Sequence, residues 1–370
     1  MASDLIGFDA VVAGRGPAGY ASAIALRQQG YRVMMIGRTD LSSARWGETV
    51  PGTTAIVLSK LGVGEALSAE GHGACVTHRS CWGEVRLRER TAMQNPHGGG
   101  HLIAHERLID ALHARLLDLD TCVLDGQVLD VMRDDDGYRL RIECQGEETF
   151  VRARALIDAT GRGARIAQRL GARRESACRL ISLGAIFKVP ADVPMRIETI
   201  VESRPGGWLY AAPLSPSKAV VWWITDTLPS SFTRMQRTDL LMQEADDSLH
   251  IGTWLALHRL SIEGESVVRD ASVGALDHKV GDRWLAVGDA AASLDPLSSS
   301  GITSALMGGL HAANALSNTF DGDEQALTRY AAAIDEVFAT HLQKRRQYYA
   351  MERRWETGFW QGMQRFTQMS

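Results

Sequence analysis

The stretch Phe8-Asp9-Ala10-Val11-Val12-Ala13-Gly14-Arg15-Gly16-Pro17-Ala18-Gly19 decides how the chain begins. An apolar strand runs into a glycine turn, and the turn opens a helix over 17–30. In such a turn Gly14 permits the tight bend, Gly16 lets the backbone approach a pyrophosphate, and Gly19 lets the helix sit close on the sheet. Pro17 suits the first helical turn, where its missing N–H costs nothing. The helix start presents unpaired N–H groups and the positive end of its dipole to phosphate. A second apolar strand over 32–36 completes the strand–turn–helix–strand context of a dinucleotide site. A plain tight turn is the alternative.

The end of that second strand departs from the usual pattern. An Asp or Glu is expected there to bond the ribose hydroxyls, and Gly37 occupies the place. Arg38 follows, positioned to stack on adenine or to reach ribose or phosphate. An Arg at this point also accommodates a 2′-phosphate.

At 370 residues the chain can bury a large core. Its 45% apolar and 23% charged residues match an ordinary globular protein. A net charge of −4 makes no case for nucleic acid, and glutamates interrupt the cluster of Arg86, Arg88 and Arg90. The five cysteines are odd in number and lack C-x-x-C spacing. No zinc site or disulfide framework is expected, and a reducing cytoplasm is the default. Cys75 and Cys81 either meet on paired segments or, the preferred reading, are buried free thiols. Among His72, His78, His97 and His101 no pair has helical i, i+4 spacing beside a carboxylate, so no metal site is expected there. No signal peptide and no membrane span is expected either.

Further along, Arg45-Trp46-Gly47-Glu48-Thr49-Val50-Pro51-Gly52 reads as a shaped loop before a helix over 53–69. Residues 71–100 read as irregular, and 101–117 as a strand end and a helix with Leu108, Leu112, Leu116 and Leu117 on one face. Arg107 lies in that helix's first turn, where a cation is explained by an anion nearby or by surface placement. Strands follow over 121–124, 128–133, 138–143 and 149–151, with a hairpin at Asp134-Asp135-Asp136-Gly137. Residues 153–162 form a second apolar strand ending in Asp158-Ala159-Thr160-Gly161-Arg162. From 181 to 225 alternating strands indicate an antiparallel sheet carrying Trp208, Tyr210, Trp222 and Trp223. These aromatics either wall a substrate cavity or fill a core. The chain then returns through a strand ending in Gly288-Asp289-Ala290-Ala291 and a hydroxyl-rich turn, Ser293 to Gly301, ahead of two helices and an aromatic tail.

Three motifs thus stand in order: Gly14 to Gly19, Asp158 to Arg162, and Gly288 to Ala291. Together they resemble the FAD-dependent monooxygenases of the glutathione-reductase-type fold. The resemblance implies an α/β fold: a Rossmann-like FAD-binding domain (1–175 and 280–320), an inserted antiparallel-sheet substrate domain (176–279), and C-terminal helices (321–370). It also implies that Gly14, Gly16 and Gly19 hold the pyrophosphate. Gly288 and Asp289 would serve the ribityl or pyrophosphate region, and Arg38, Arg45 and Arg107 would supply further FAD contacts. Gly47-Glu48-Thr49-Val50-Pro51 and Asp295-Pro296-Leu297-Ser298-Ser299-Ser300-Gly301 resemble a narrower branch. That branch contains the tryptophan halogenases and the flavoproteins that hydroxylate a protein tryptophan during tryptophylquinone formation. By this likeness Pro296, Ser299 and Gly301 lie beside the isoalloxazine ring. Glu48 orients substrate or transfers a proton, and Thr49 lines the passage.

The halogenase pattern fails at specific places. Its lysine is missing, since there is none between Lys60 and Lys188. Its W-x-W-x-I-P motif is absent, with Trp222-Trp223-Ile224-Thr225 no match, and Ser293 replaces the first Phe of its F-x-x-P-x-x-S-x-G pattern. The expected activity is therefore hydroxylation, through a flavin C4a-hydroperoxide, of an aromatic small molecule or a tryptophan in a peptide or protein. Electrons would come from NAD(P)H or a separate flavin reductase. A halogenase-like enzyme, a flavin-dependent reductase and a non-catalytic flavin-binding subunit are the alternatives.

Overall fold

The computed structural model describes residues 7–38, 48–68, 73–75, 77–91 and 100–365. The opening strand, Gly7–Ala13 (β1), leads to the helix Pro17–Gln28 (α1) and the strand Val33–Ile36 (β2). Five strands run parallel in the order Trp284–Ala286, Glu147–Asp158, β1, β2, Cys122–Leu124. Their apolar runs are buried on both faces, as parallel strands require: Val11, Val12, Met34, Met35, Leu156 and Ile157 are all nearly or fully inaccessible. One face packs on α1 and on the helices His105–Asp118 and Gly301–Phe320. The other is covered by the hairpin Gly126–Asp134/Gly137–Cys144 and the helix Arg165–Arg169. Strand order reverses around β1, which is where such sheets bind ligands beyond their C-terminal ends.

A second sheet has seven strands, in the order Ser261–Asp270, Ile181–Lys188, Lys218–Thr225, Gly207–Ser215, Glu198–Arg204, Thr77–Cys81, Arg88–Thr91. All pairs are antiparallel except Glu198–Arg204 with Thr77–Cys81. One face packs on the helices Arg234–Asp246 and His250–Leu257 through Leu209, Val221, Trp223 and Trp254. The opposite face carries Trp208 under the C-terminal segment.

Several elements differ from the sequence expectations. The helix expected over 53–69 ends at Lys60, because Gly62 takes φ +76° and a short 3-10 turn, Gly64–Ser68, follows. Glu48–Val50, read as loop, is a strand of a small sheet with Gly100–Ile103 and Gly73–Cys75. Segments inside 71–100 are strands: Gly73–Cys75 pairs with Gly100–Ile103, and Thr77–Cys81 pairs with Arg88–Thr91 and, far along the chain, with Glu198–Arg204. Residues 149–151 and 153–158 belong to one strand, Glu147–Asp158, which changes partner along its length. Leu117 is half exposed while Leu108, Leu112 and Leu116 are buried. Cys81 is a buried free thiol as expected, and the Cys75 side chain lies outside the described residues; Cys178 is also buried and Cys122 is exposed. No helix among the described residues is long and apolar enough to cross a membrane.

The last helices are Ala326–Met351 and Gly358–Arg365. Their aromatics pack on the body: Tyr349, Phe359 and Trp360 are buried, and Trp360 Nε1 donates to the Arg204 carbonyl at 2.8 Å. Between the helices, Glu352 is wholly buried and accepts hydrogen bonds from Gly83 N–H (2.8 Å), Ser203 and Arg354. Burial alone would raise its carboxyl, but these donors outweigh burial and hold it at about 2. Its folded value lies below the ordinary 4.5. The stability it contributes is thus complete above that pH and is lost as pH falls toward the folded value. Glu352→Gln is expected to melt below the wild type at neutral pH. The gap should narrow through the acid range in thermal melts; a constant gap would contradict this assignment.

Candidate active site

The glycine turn is shaped by what lies against it. Gly14 has φ +123°, and a β-carbon there would sit 2.0 Å from the Ala159 carbonyl oxygen. A β-carbon on Gly19 would sit 2.1 Å from the Gly14 carbonyl oxygen. A β-carbon on Gly16 meets nothing within 4 Å, so this side of the turn is open. Helix α1 begins with no side-chain cap, leaving its first N–H groups available for an anion. The open cradle and the bare helix end fit the pyrophosphate of FAD.

The second and third motifs close on this turn. Ala159 N–H donates to the Ala13 carbonyl at 2.8 Å, tying the end of Glu147–Asp158 to the end of β1. Asp158 is fully buried and spends its carboxylate on Thr160, Ile166 N–H and Ala167 N–H (2.6–2.9 Å), so it is a structural cap. Gly288 has φ +61° and faces Ala18, whose Cβ lies 2.8 Å from where a β-carbon would stand. Asp289 therefore stands beside the start of α1. Its carboxylate pairs with Arg162 at 3.1 Å, and Arg174 donates to the Asp289 and Ala290 carbonyls. Gly309 presses the helix Gly301–Phe320 onto α1, with Ala21 Cβ 2.5 Å from its would-be β-carbon.

The hydroxyl-rich turn is held from below by a buried cluster. Asp295 is 1% exposed, and its carboxylate bonds Arg345 Nε at 2.7 Å, the Tyr349 hydroxyl at 3.1 Å and Leu297 N–H at 2.9 Å. Asp295 N–H donates to His341 Nε2 at 2.8 Å, a bond that needs a neutral ring, and burial lowers His341 accordingly. Above this cluster Pro296, Ser299 and Gly301 are exposed, with Ser299 at φ +47°. The helix Gly301–Phe320 has no side-chain cap, so a second bare N-terminus faces the same region. A polar ring edge suits such a site.

Two hydroxyl pairs join these pieces to the strand Glu48–Val50. Thr54 Oγ1 lies 2.7 Å from Thr303 Oγ1, buried, at the start of the long helix. Thr49 Oγ1, also buried, lies 3.2 Å from the Tyr210 hydroxyl on the seven-stranded sheet. Tyr210 stands opposite Trp222, and the Trp222 ring lies flat over Gly184, where a β-carbon would be 2.2 Å from it. Both aromatics are half-buried, whereas Trp208 and Trp223 fill cores. Of the four aromatics, Tyr210 and Trp222 thus stand on the sheet face that reaches Thr49.

The structure brings the Gly14–Gly19 turn against Gly288, and ties Thr54, after the strand with Thr49, to Thr303 at the start of the helix that follows the hydroxyl-rich turn. Arg38 is an exposed residue paired with Glu143 at 3.3 Å. Arg107 is exposed in the first turn of His105–Asp118, directly after the strand that pairs with Glu48–Val50. Arg45 and the Glu48 side chain lie outside the described residues. The sequence placed Tyr210 only among four aromatics and Arg162 only at the end of a motif, and it did not single out the set His341, Arg345, Tyr349. The last three recur at i, i+4, i+8 on one helix face, a spacing that marks a shared partner. No cluster of metal-ligating residues occurs among the described residues.

Residues 8–344 match the FAD binding domain family. The chain is 27% identical over 370 residues to a putative FAD-dependent oxidoreductase, LodB, of Marinomonas mediterranea, covering 97% of this chain and 98% of that one. It is 25% identical to a 1H-pyrrole-2-carbonyl-[peptidyl-carrier protein] brominase of Pseudoalteromonas luteoviolacea, over 89% and 82% of the two chains. Among solved structures, the peptidyl tryptophan dihydroxylase QhpG, described as essential for tryptophylquinone cofactor biogenesis, superposes with a TM-score of 0.78 at 26% identity, over 97% and 79% of the chains. The chain belongs to the FAD binding domain family and is an FAD-dependent oxidoreductase.

Proposed function

We propose that this oxidoreductase is a monooxygenase that hydroxylates an electron-rich aromatic ring, with a tryptophan side chain in a peptide or protein as its substrate. The observation that carries this reading is the Thr49–Tyr210 contact at 3.2 Å. It joins Tyr210, half-buried beside Trp222, to the strand Glu48–Val50, whose following helix bonds Thr303 just past the hydroxyl-rich turn. An indole edge can pack against such a pair. Likeness to QhpG at 26% identity supports the substrate class. When bound, reduced FAD supplies the activation of O₂. The chain's own part is to hold the ring, exclude water and move a proton. Tyr210 and Trp222 contact the ring, Thr49 lines its path, and Glu48 orients it or takes the proton lost as the ring regains aromaticity.

Glu48→Gln is expected to lower turnover about 10²–10⁴-fold, the usual range for losing an acid–base group, with flavin still bound. Unchanged turnover removes Glu48 from the mechanism. The substrate class is tested by mass spectrometry of a co-expressed tryptophan-containing partner. A gain of one or two oxygens supports hydroxylation. Anaerobic mixing with NADPH, followed by flavin absorbance, separates direct reduction from supply by a flavin reductase.

The brominase likeness favours a second reading, halogenation. Against it stands the absence of any lysine between Lys60 and Lys188. A product that forms only with added halide would support it.

A further inference from the structure

The strand β2 ends at Gly37, where the fold ordinarily sets an acid against the adenosine ribose. A side chain there would be crowded. A β-carbon on Gly37 would lie 2.9 Å from Arg15 Cγ, 3.0 Å from the Arg15 nitrogen and 3.3 Å from Gly14 Cα. Two of these three are main-chain atoms at 3.0–3.3 Å, so the position stays tight even beside a trimmed Arg15. Arg15 is itself anchored, its Nε donating to the hydroxyl of fully buried Tyr20 at 3.3 Å.

The neighbouring strand offers a carboxylate instead. Cys122–Leu124 pairs in parallel with β2, with Leu124 opposite Ile36. Asp125 therefore stands next to Gly37 on the same C-terminal edge of the sheet. The main chains are tied on both sides of it: Gly37 N–H donates to the Leu124 carbonyl at 3.2 Å, and Gly126 N–H to the Gly37 carbonyl at 3.4 Å. The Asp125 carboxylate lies 3.9 Å from Arg15 Nη1, and its side chain is 59% exposed. The other carboxylate of this edge, Glu143, already accepts from Arg38, Gln127 and Gly146 N–H.

We propose that Asp125 holds the ribose hydroxyls of the FAD adenosine, one strand over from the usual position, with Arg15 filling the vacated slot. A carboxylate accepts from two adjacent hydroxyls at once. The contact makes Asp125 a determinant of FAD over FMN, which has no adenosine. The proposal concerns the cofactor and stands whatever the substrate proves to be.

The test is titration of apoprotein with FAD and with FMN, in wild type and in Asp125→Asn. The variant is expected to bind FAD about tenfold or more weakly, the range for losing a hydrogen bond to a charged group, with FMN affinity unchanged. Unchanged FAD affinity, or an equal loss for both flavins, overturns the assignment. An FAD analogue lacking the 2′- and 3′-hydroxyls of the adenosine ribose provides the check on wild-type protein, should the variant fail to fold. Weaker binding of the analogue supports the contact, and binding equal to FAD overturns it.

Discussion

Gly16→Val is expected to give a folded protein that has lost its flavin, whereas Gly14→Ala is expected to cost the fold itself. The two positions are two residues apart, yet their surroundings are opposite. At Gly16 the backbone is extended (φ −94°, ψ 177°), which any residue adopts, and an added β-carbon meets no protein atom within 4 Å. A valine there has room in the chain but fills the cradle. Losing two charge-assisted N–H contacts to the pyrophosphate, at about 1.5–3 kcal/mol each, raises the Kd for FAD ~10²–10⁴-fold. At Gly14 a β-carbon meets the Ala159 carbonyl oxygen at 2.0 Å and its carbon at 2.4 Å, with φ at +123°. Both obstacles are main chain, so no rotamer relieves them. Backbone strain of about 1–3 kcal/mol adds to overpacking of about 1–3 kcal/mol. Flavin absorbance after purification and circular dichroism of the apoprotein separate the outcomes. A yellow Gly16→Val protein with wild-type affinity would remove the pyrophosphate from this turn.

The second large effect lies in the buried cluster under the hydroxyl-rich turn. Asp295→Ala leaves the Arg345 guanidinium, 5% exposed, without its carboxylate. It also removes the acceptor of the Tyr349 hydroxyl and of Leu297 N–H. Breaking a buried pair from one side costs about 3–5 kcal/mol, because the uncompensated charge stays buried. Removing both charges in Asp295→Ala/Arg345→Met is expected to recover part of that loss. Denaturant melts of the two single variants and the double variant measure the coupling, and additive losses would show that the pair is not coupled. The turn carrying Pro296, Ser299 and Gly301 rests on this cluster, so Asp295→Ala is also expected to loosen flavin binding.

Which expectations were legible depended on the range of the interaction. The glycine turn, the Gly288-Asp289 turn and the strands of the aromatic sheet are local patterns, and the structure has them within a few residues of their expected bounds. The strands Thr77–Cys81 and Arg88–Thr91 were not legible. Their charged residues, such as Arg79 with Glu89 and Glu198, satisfy one another across strands that meet only after folding. The choice among the four aromatics was likewise invisible. Trp208 and Trp223 fill cores while Tyr210 and Trp222 face the strand with Thr49, and only the packing of two sheets separates these fates.

By itself, the sequence determined the glycine turns and the strands they end, because each motif needs only its own strand and helix to take shape, and its resemblance to known flavoproteins implied the class of cofactor. Tertiary structure alone decided that Arg15 and Gly14 crowd Gly37 and that Asp125 stands beside it. It also decided that Asp295 is held by a helix some 50 residues further on. These outcomes depend on backbone atoms and charges from distant segments competing for the same few ångströms, and no spacing along the chain records that competition.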